Sequence, residues 1–137
     1  MVREIIKDVF FLQQKSVKAT EADIAVAQDL LDTLAAHREG CVGLAANMIG
    51  ESKCIIAVNL GDKEIAMLNP EIVKHSAKSY KTTEGCLSLN GERETERFEM
   101  IEVKYRDMNF AKKKAKFSGF TAQIIQHEID HCQGILI

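Results

Sequence analysis

The segment His127-Glu128-Ile129-Asp130-His131 sets two histidines four residues apart in a chain of 137 residues, and that spacing joins them at one point only on a helix. On a helix, residues i and i+4 lie on one face a turn apart, so both imidazoles can reach a single cation. From Ser118 onward the chain keeps this period: Phe120, Ile124, His127 and His131 recur on one face, and Gly134 can end the helix. A C-terminal helix whose inward face is both apolar and ligating follows, and the rest of the fold must close around it. Glu128, beside the first histidine, can move a proton while staying out of the ligand set. The bland alternative is a helix with two exposed histidines, so a third ligand is needed to decide.

Four histidines are present. His37 falls near the end of an earlier helix and His75 in a polar stretch with Lys74, Ser76 and Lys78, both surface settings. Cys86 is the better third ligand, because Glu84-Gly85-Cys86-Leu87-Ser88 puts a thiol where glycine allows close backbone approach. A Cys/His/His set leaves the fourth tetrahedral position open, as a catalytic rather than structural site requires. The other cysteines read as free thiols of a reducing compartment. Cys54, within Cys54-Ile55-Ile56-Ala57-Val58, is a small buried hydrophobe, and Cys132 points away from His131 on its helix.

With 46% apolar and 28% charged residues the chain has an ordinary globular balance, and residues 1–137 are expected to form one domain. A net charge of −2 lacks the basic excess of a phosphate-tracking surface, and the run Lys112 to Lys116 is a short solvated strand or turn, so no nucleic-acid partner is expected. No apolar run approaches the ~20 residues needed to span a bilayer, and no leader peptide is recognisable; the expectation is a cytoplasmic protein without a membrane partner.

Thr20 with Glu21 and Asp23 reads as a capped helix start, and Ile24, Ala27, Leu31 and Leu34 continue it on one face over about 21–38, up to Gly40. Residues 53–59 form a strand-like run, Gly61-Asp62 a turn, and 64–69 a return strand before Pro70. Ile101, Val103 and Tyr105 alternate with Glu102, Lys104 and Arg106, and a short strand is expected near 115–117. Without βαβ alternation this is an α+β fold: antiparallel β-sheets packed around the C-terminal helix, with one N-terminal helix.

Three segments in order, Gly40-Cys41-Val42-Gly43-Leu44-Ala45-Ala46-Asn47-Met48-Ile49-Gly50, Glu84-Gly85-Cys86-Leu87-Ser88 and Gln126-His127-Glu128-Ile129-Asp130-His131, resemble the three motifs of peptide deformylases. The resemblance implies Cys86, His127 and His131 as ligands of one divalent ion, ferrous iron in the cell with zinc, nickel or cobalt able to replace it. It implies Glu128 as general acid/base, and as reaction the removal of the formyl group from N-formylmethionine at the start of new polypeptides. The partner implied is therefore an N-formylmethionyl peptide or nascent chain. The family stabilises the reaction's oxyanion with a backbone N–H, here that of Leu87, and with a glutamine amide at the position where this chain has Met48. Val42, Gly43 and Ile124 fall where the family lines the slot for the methionine side chain. Glu84 is expected to pair with Arg97, and Asp130 either to orient a ligand imidazole or to face solvent.

Met48 is the main departure, since methionine has no N–H to donate and loss of one oxyanion donor typically costs ~2.7–4 kcal/mol. Asn47 carries an amide, but neighbouring side chains of an extended segment point to opposite faces. Cys41 and Asn90 are smaller departures, standing where the family has a glycine and a proline. Met48 also supports an alternative function, a deformylase-like paralogue that keeps the metal with weak or no catalysis and acts as a binding or regulatory protein. A general zinc protease would want its third ligand downstream of His131, and the chain reaches Ile137 without a further histidine or carboxylate. A purely structural zinc would want a fourth protein ligand and no Glu128.

Overall fold

A computed structural model describes residues 1–137. The chain opens with a single helical turn, α1 (Val9–Leu12), whose N-terminus is capped by the Asp8 carboxylate accepting from the Phe10 N–H. A 3-10 turn (Glu21–Asp23) leads into α2 (Ile24–Ala36), and the Asp23 carboxylate accepts the Thr20 N–H at 2.8 Å, the reciprocal half of the expected cap. Then come β1 (Gly43–Ala45), a 3-10 turn (Ala46–Ile49), β2 (Ile55–Asn59), β3 (Glu64–His75), β4 (Ser79–Cys86), β5 (Leu89–Phe98), β6 (Met100–Arg106), β7 (Lys112–Ser118) and α3 (Gly119–Cys132).

The strands make an antiparallel five-stranded sheet in the order β1-β2-β3-β6-β7 and a separate hairpin, β4-β5. Four successive positions of β2, Ile55 to Val58, are fully buried, which requires cover on both faces of the sheet; α2 and α3 both pack on that strand. α3 also meets β1, β7 and β5, so it sits between the large sheet and the hairpin with Ala122, Ile124, Ile125 and Cys132 in the core. Edge strand β7 carries Lys112, Lys113, Lys114 and Lys116, charges that discourage pairing with another chain. No helix is long and apolar enough to cross a membrane.

The α+β architecture with its C-terminal helix is as expected, and the structure differs in detail. The N-terminal part has α1 in addition to α2, and α2 stops at Ala36, ahead of Gly40. The strand expected to end before Pro70 runs on to His75, because the chain passes the proline at an irregularity. Asn69 adopts φ +54°, the register shifts between Leu68 and Glu71, and the Asn69 amide both accepts from Ala19 N–H and donates to Ala19 C=O. The β4-β5 hairpin carries no strand signal in the sequence.

Candidate active site

Two elements separated by three strands in sequence, β4 and α3, bring the candidate ligands together. α3 carries His127 and His131 inward, 7% and 0% exposed, with their Nε2 atoms 3.0 Å apart. Cys86 closes β4 just before the turn Leu87-Ser88, and β5 resumes with Asn90 and Gly91 bulged out, since Gly85 pairs with Glu92 but Cys86 with Leu89. Gly91 takes φ +73° there, a conformation suited to glycine. The bulge re-aims the end of β4 so that Cys86 Sγ and one nitrogen of each histidine all lie within 4.8 Å of one another.

The surroundings of these atoms fit a cation. His127 Nδ1 lies 2.7 Å from Glu84 Oε1, so Nδ1–H donates to the carboxylate and Nε2 is the ring nitrogen turned toward His131. Burial disfavours charge on His127, yet the Cys86 thiol and the Glu84 carboxylate outweigh it and hold this imidazole up at about 10. At His131 burial and the adjacent His127 act in the same direction and depress it to about 3. Two buried imidazole nitrogens thus face each other beside a thiol, and a divalent cation would satisfy all three as N, N and S ligands.

Glu84 is itself fixed. Burial pushes its carboxyl up, but the His127 hydrogen bond and the Arg97 guanidinium bring it down to about 2. Arg97, 4% exposed, reaches Glu84 Oε1 at 2.7 Å from Nη2 and Asp130 Oδ2 at 2.6 Å from Nη1. The expected Glu84–Arg97 pair is present, whereas Asp130 touches neither imidazole and instead holds the far side of the arginine. Gln126, buried beside His127, clamps α3 to β5: its Oε1 accepts Phe98 N–H and its Nε2 donates to Phe98 C=O. Neither the Glu84–His127 contact nor the Gln126 clamp was read from the sequence, although Gln126 stands inside the quoted motif.

Two of the candidate ligands, Cys86 and His127, line a cavity of about 550 Å³ together with Val42, Gly43, Met48, Leu87 and Glu128 among others. Glu128 is 4% exposed and its Oε1 has no hydrogen-bond partner; burial pushes its carboxyl up to about 7. β1 runs directly over it. A Cβ at Gly43 would stand 2.8 Å from Ile124 Cγ2 and 3.0 Å from Glu128 Oε2, so only glycine lets the strand pass this close to α3. Gly43→Ala is therefore expected to destabilise the fold by about 1–3 kcal/mol through overpacking and to reduce turnover by displacing Glu128. Thermal unfolding and a rate assay check it, and wild-type values in both would show that the neighbours absorb the methyl group.

Met48 is 1% exposed, and its Sδ accepts the Ala45 N–H at 3.4 Å. Asn47 offers no replacement donor to the cavity: its Nδ2 donates to His131 C=O at 3.0 Å, tying the 3-10 turn to the end of α3. The Leu87 N–H has no partner within the protein, while the Ser88 N–H donates to Cys86 Sγ at 3.4 Å. Val42 is 41% exposed at the mouth and Ile124 6% exposed deeper in. The Cys41 thiol donates to Gly43 C=O at 3.0 Å, and burial pushes it up to about 12, which disfavours the thiolate.

Residues 2–137 match the family model for polypeptide deformylase. A peptide deformylase of Clostridium beijerinckii is 56% identical over 137 residues, covering all of both chains. Among solved structures, the peptide deformylase of Thermotoga maritima superposes with a TM-score of 0.89 at 28% identity, covering 99% of this chain and 95% of its own. The Met-Ala-Ser-bound class I type b peptide deformylase of Acinetobacter baumannii gives 0.86 at 32% identity, covering 99% and 97%. These relatives support an enzyme and not a non-catalytic paralogue. From the site outward through the whole length of the fold, this chain belongs to the polypeptide deformylase family, whose members are metal-dependent hydrolases.

Proposed function

We propose that Cys86, His127 and His131 hold one ferrous ion and that the cavity above them takes the first residue of an N-formylmethionyl chain in the cytoplasm, releasing formate. A divalent cation held by these residues would supply Lewis acidity, lowering the pKa of water and polarising the formyl carbonyl. Glu128 accepts the proton from that water and returns it to the leaving amine; its buried, unpartnered Oε1 and a carboxyl raised to about 7 suit a group that must both take and give. The Leu87 N–H, free of protein partners, donates to the oxyanion as it forms. Val42, Gly43 and Ile124 hold the methionine side chain. Glu84, through Nδ1 of His127, keeps that ring's other nitrogen available for the metal.

The observation that carries this reading is the convergence of one thiol and two imidazole nitrogens at a cavity that Cys86, His127 and the buried Glu128 line. The Met-Ala-Ser bound by the Acinetobacter baumannii enzyme is what deformylation of a formylated Met-Ala-Ser would leave, and it supports the same substrate class here. Protein purified without oxygen and loaded with iron is expected to release formate from formyl-Met-Ala-Ser and to stop when a chelator strips the metal. Formate release that is absent in the iron-loaded protein, or that persists after chelation, would overturn the proposal.

A further inference from the structure

Gln123 lies four residues before His127 on α3, on the helix face that also carries Phe120 and Ile124, and it lines the same cavity. It interrupts an otherwise apolar stripe between Phe120, 63% exposed at the rim, and the buried Ile124. Its amide is held in a fixed orientation, because Tyr80 Oη–H, reaching across from β4, donates to Gln123 Oε1 at 3.1 Å. With the carbonyl end so engaged, the Nε2 donors have no partner in the protein.

The distance along the helix gives this donor a use. At 1.5 Å per residue, Gln123 sits roughly 6 Å from His127 along the axis, about as far as a methionine sulfur lies from the formyl carbon of the same residue. Resting on the reading that this cavity takes the formylated residue, we propose that Gln123 is a specificity-determining residue: its N–H meets a hydrogen-bond acceptor at the thioether position of the substrate's first side chain. A thioether is a weak acceptor and a sulfoxide oxygen a strong one. The substrates therefore extend to formylated chains that begin with oxidised methionine, which a wholly apolar slot would reject for want of a partner to the buried S=O group.

The test compares formyl-X-Ala-Ser peptides with X as methionine, norleucine or methionine sulfoxide, on the metal-loaded full chain. In the wild type, kcat/KM for the sulfoxide peptide is expected within about tenfold of that for norleucine. Gln123→Leu is expected to lower the sulfoxide-to-norleucine ratio by roughly tenfold or more, mainly through KM, with metal content and thermal unfolding showing the fold and metal to be intact. Gln123→Met, which removes the donor with a more adaptable side chain, carries the same expectation should the leucine variant fail to fold. A ratio unchanged in the folded variants would overturn the inference. So would an equal fall for all three peptides, which would assign Gln123 to the shared peptide backbone. Turnover of no peptide by the wild type would instead sink the deformylase reading beneath it, a result distinct from a changed ratio.

Discussion

Replacing Glu128 with alanine is expected to leave the metal bound and to lower turnover by about 10²–10⁴-fold, the range typical of a positioned general acid/base. The carboxyl is not among the three converging ligand atoms, so the cation loses no donor. What is lost is the one buried carboxyl facing the cavity floor with an uncommitted oxygen. The substitution also relieves rather than creates strain, because Glu128 Oε2 and Cγ crowd the space over Gly43. Folding is therefore expected to survive, and metal content with steady-state kinetics on a formyl-Met peptide checks both halves. A folded, metal-loaded Glu128→Ala protein turning over at the wild-type rate would remove Glu128 from the mechanism.

Met48→Gln is expected to raise kcat, with an upper bound near 10²–10³-fold, the value of one oxyanion donor. The geometry favours the substitution. The Met48 sulfur now accepts the Ala45 N–H, a role the glutamine Oε1 can take over, which would turn its Nε2 donors toward the cavity that residue 48 already lines. Asn47 cannot be supplying the missing donor, since its amide is committed to the backbone at the end of α3. Because the charge being stabilised exists only in the transition state, KM should move less than kcat. Neutral or reduced kcat in the folded variant would mean that another group already fills the position.

Much of this was legible because it rests on short-range spacing. The ligand face of α3 follows from the i, i+4 relation of His127 and His131, the β2–β3 hairpin from Gly61-Asp62 between two apolar runs, and β6 from strict alternation at Ile101, Val103 and Tyr105. The hairpin β4-β5 was not legible. Residues 79–98 are rich in threonine, glutamate and arginine, and the positions the hairpin buries include Glu84 and Arg97 rather than apolar side chains, so no period-two hydrophobic trace is left. The continuation of β3 past Pro70 depends on a left-handed Asn69 held by Ala19, fifty positions away in sequence. The support of the site was hidden for the same reason. Glu84 reaches His127 across 43 positions, and Asp130 turned out to serve Arg97 rather than a ring. Gln123 could have been found, since its spacing from His127 puts it on the ligand face.

A cation held by one thiolate and two imidazoles is tested most directly by metal-edge X-ray absorption on the iron- or zinc-loaded protein, with metal content from the same sample. The expected result is one ion per chain with a single sulfur near ~2.3 Å and two nitrogens near ~2.0–2.1 Å, distances typical of zinc sites of this kind, the sulfur signal vanishing in Cys86→Ala. An ion bound without a sulfur neighbour, or sulfur ligation that survives Cys86→Ala, would contradict the account.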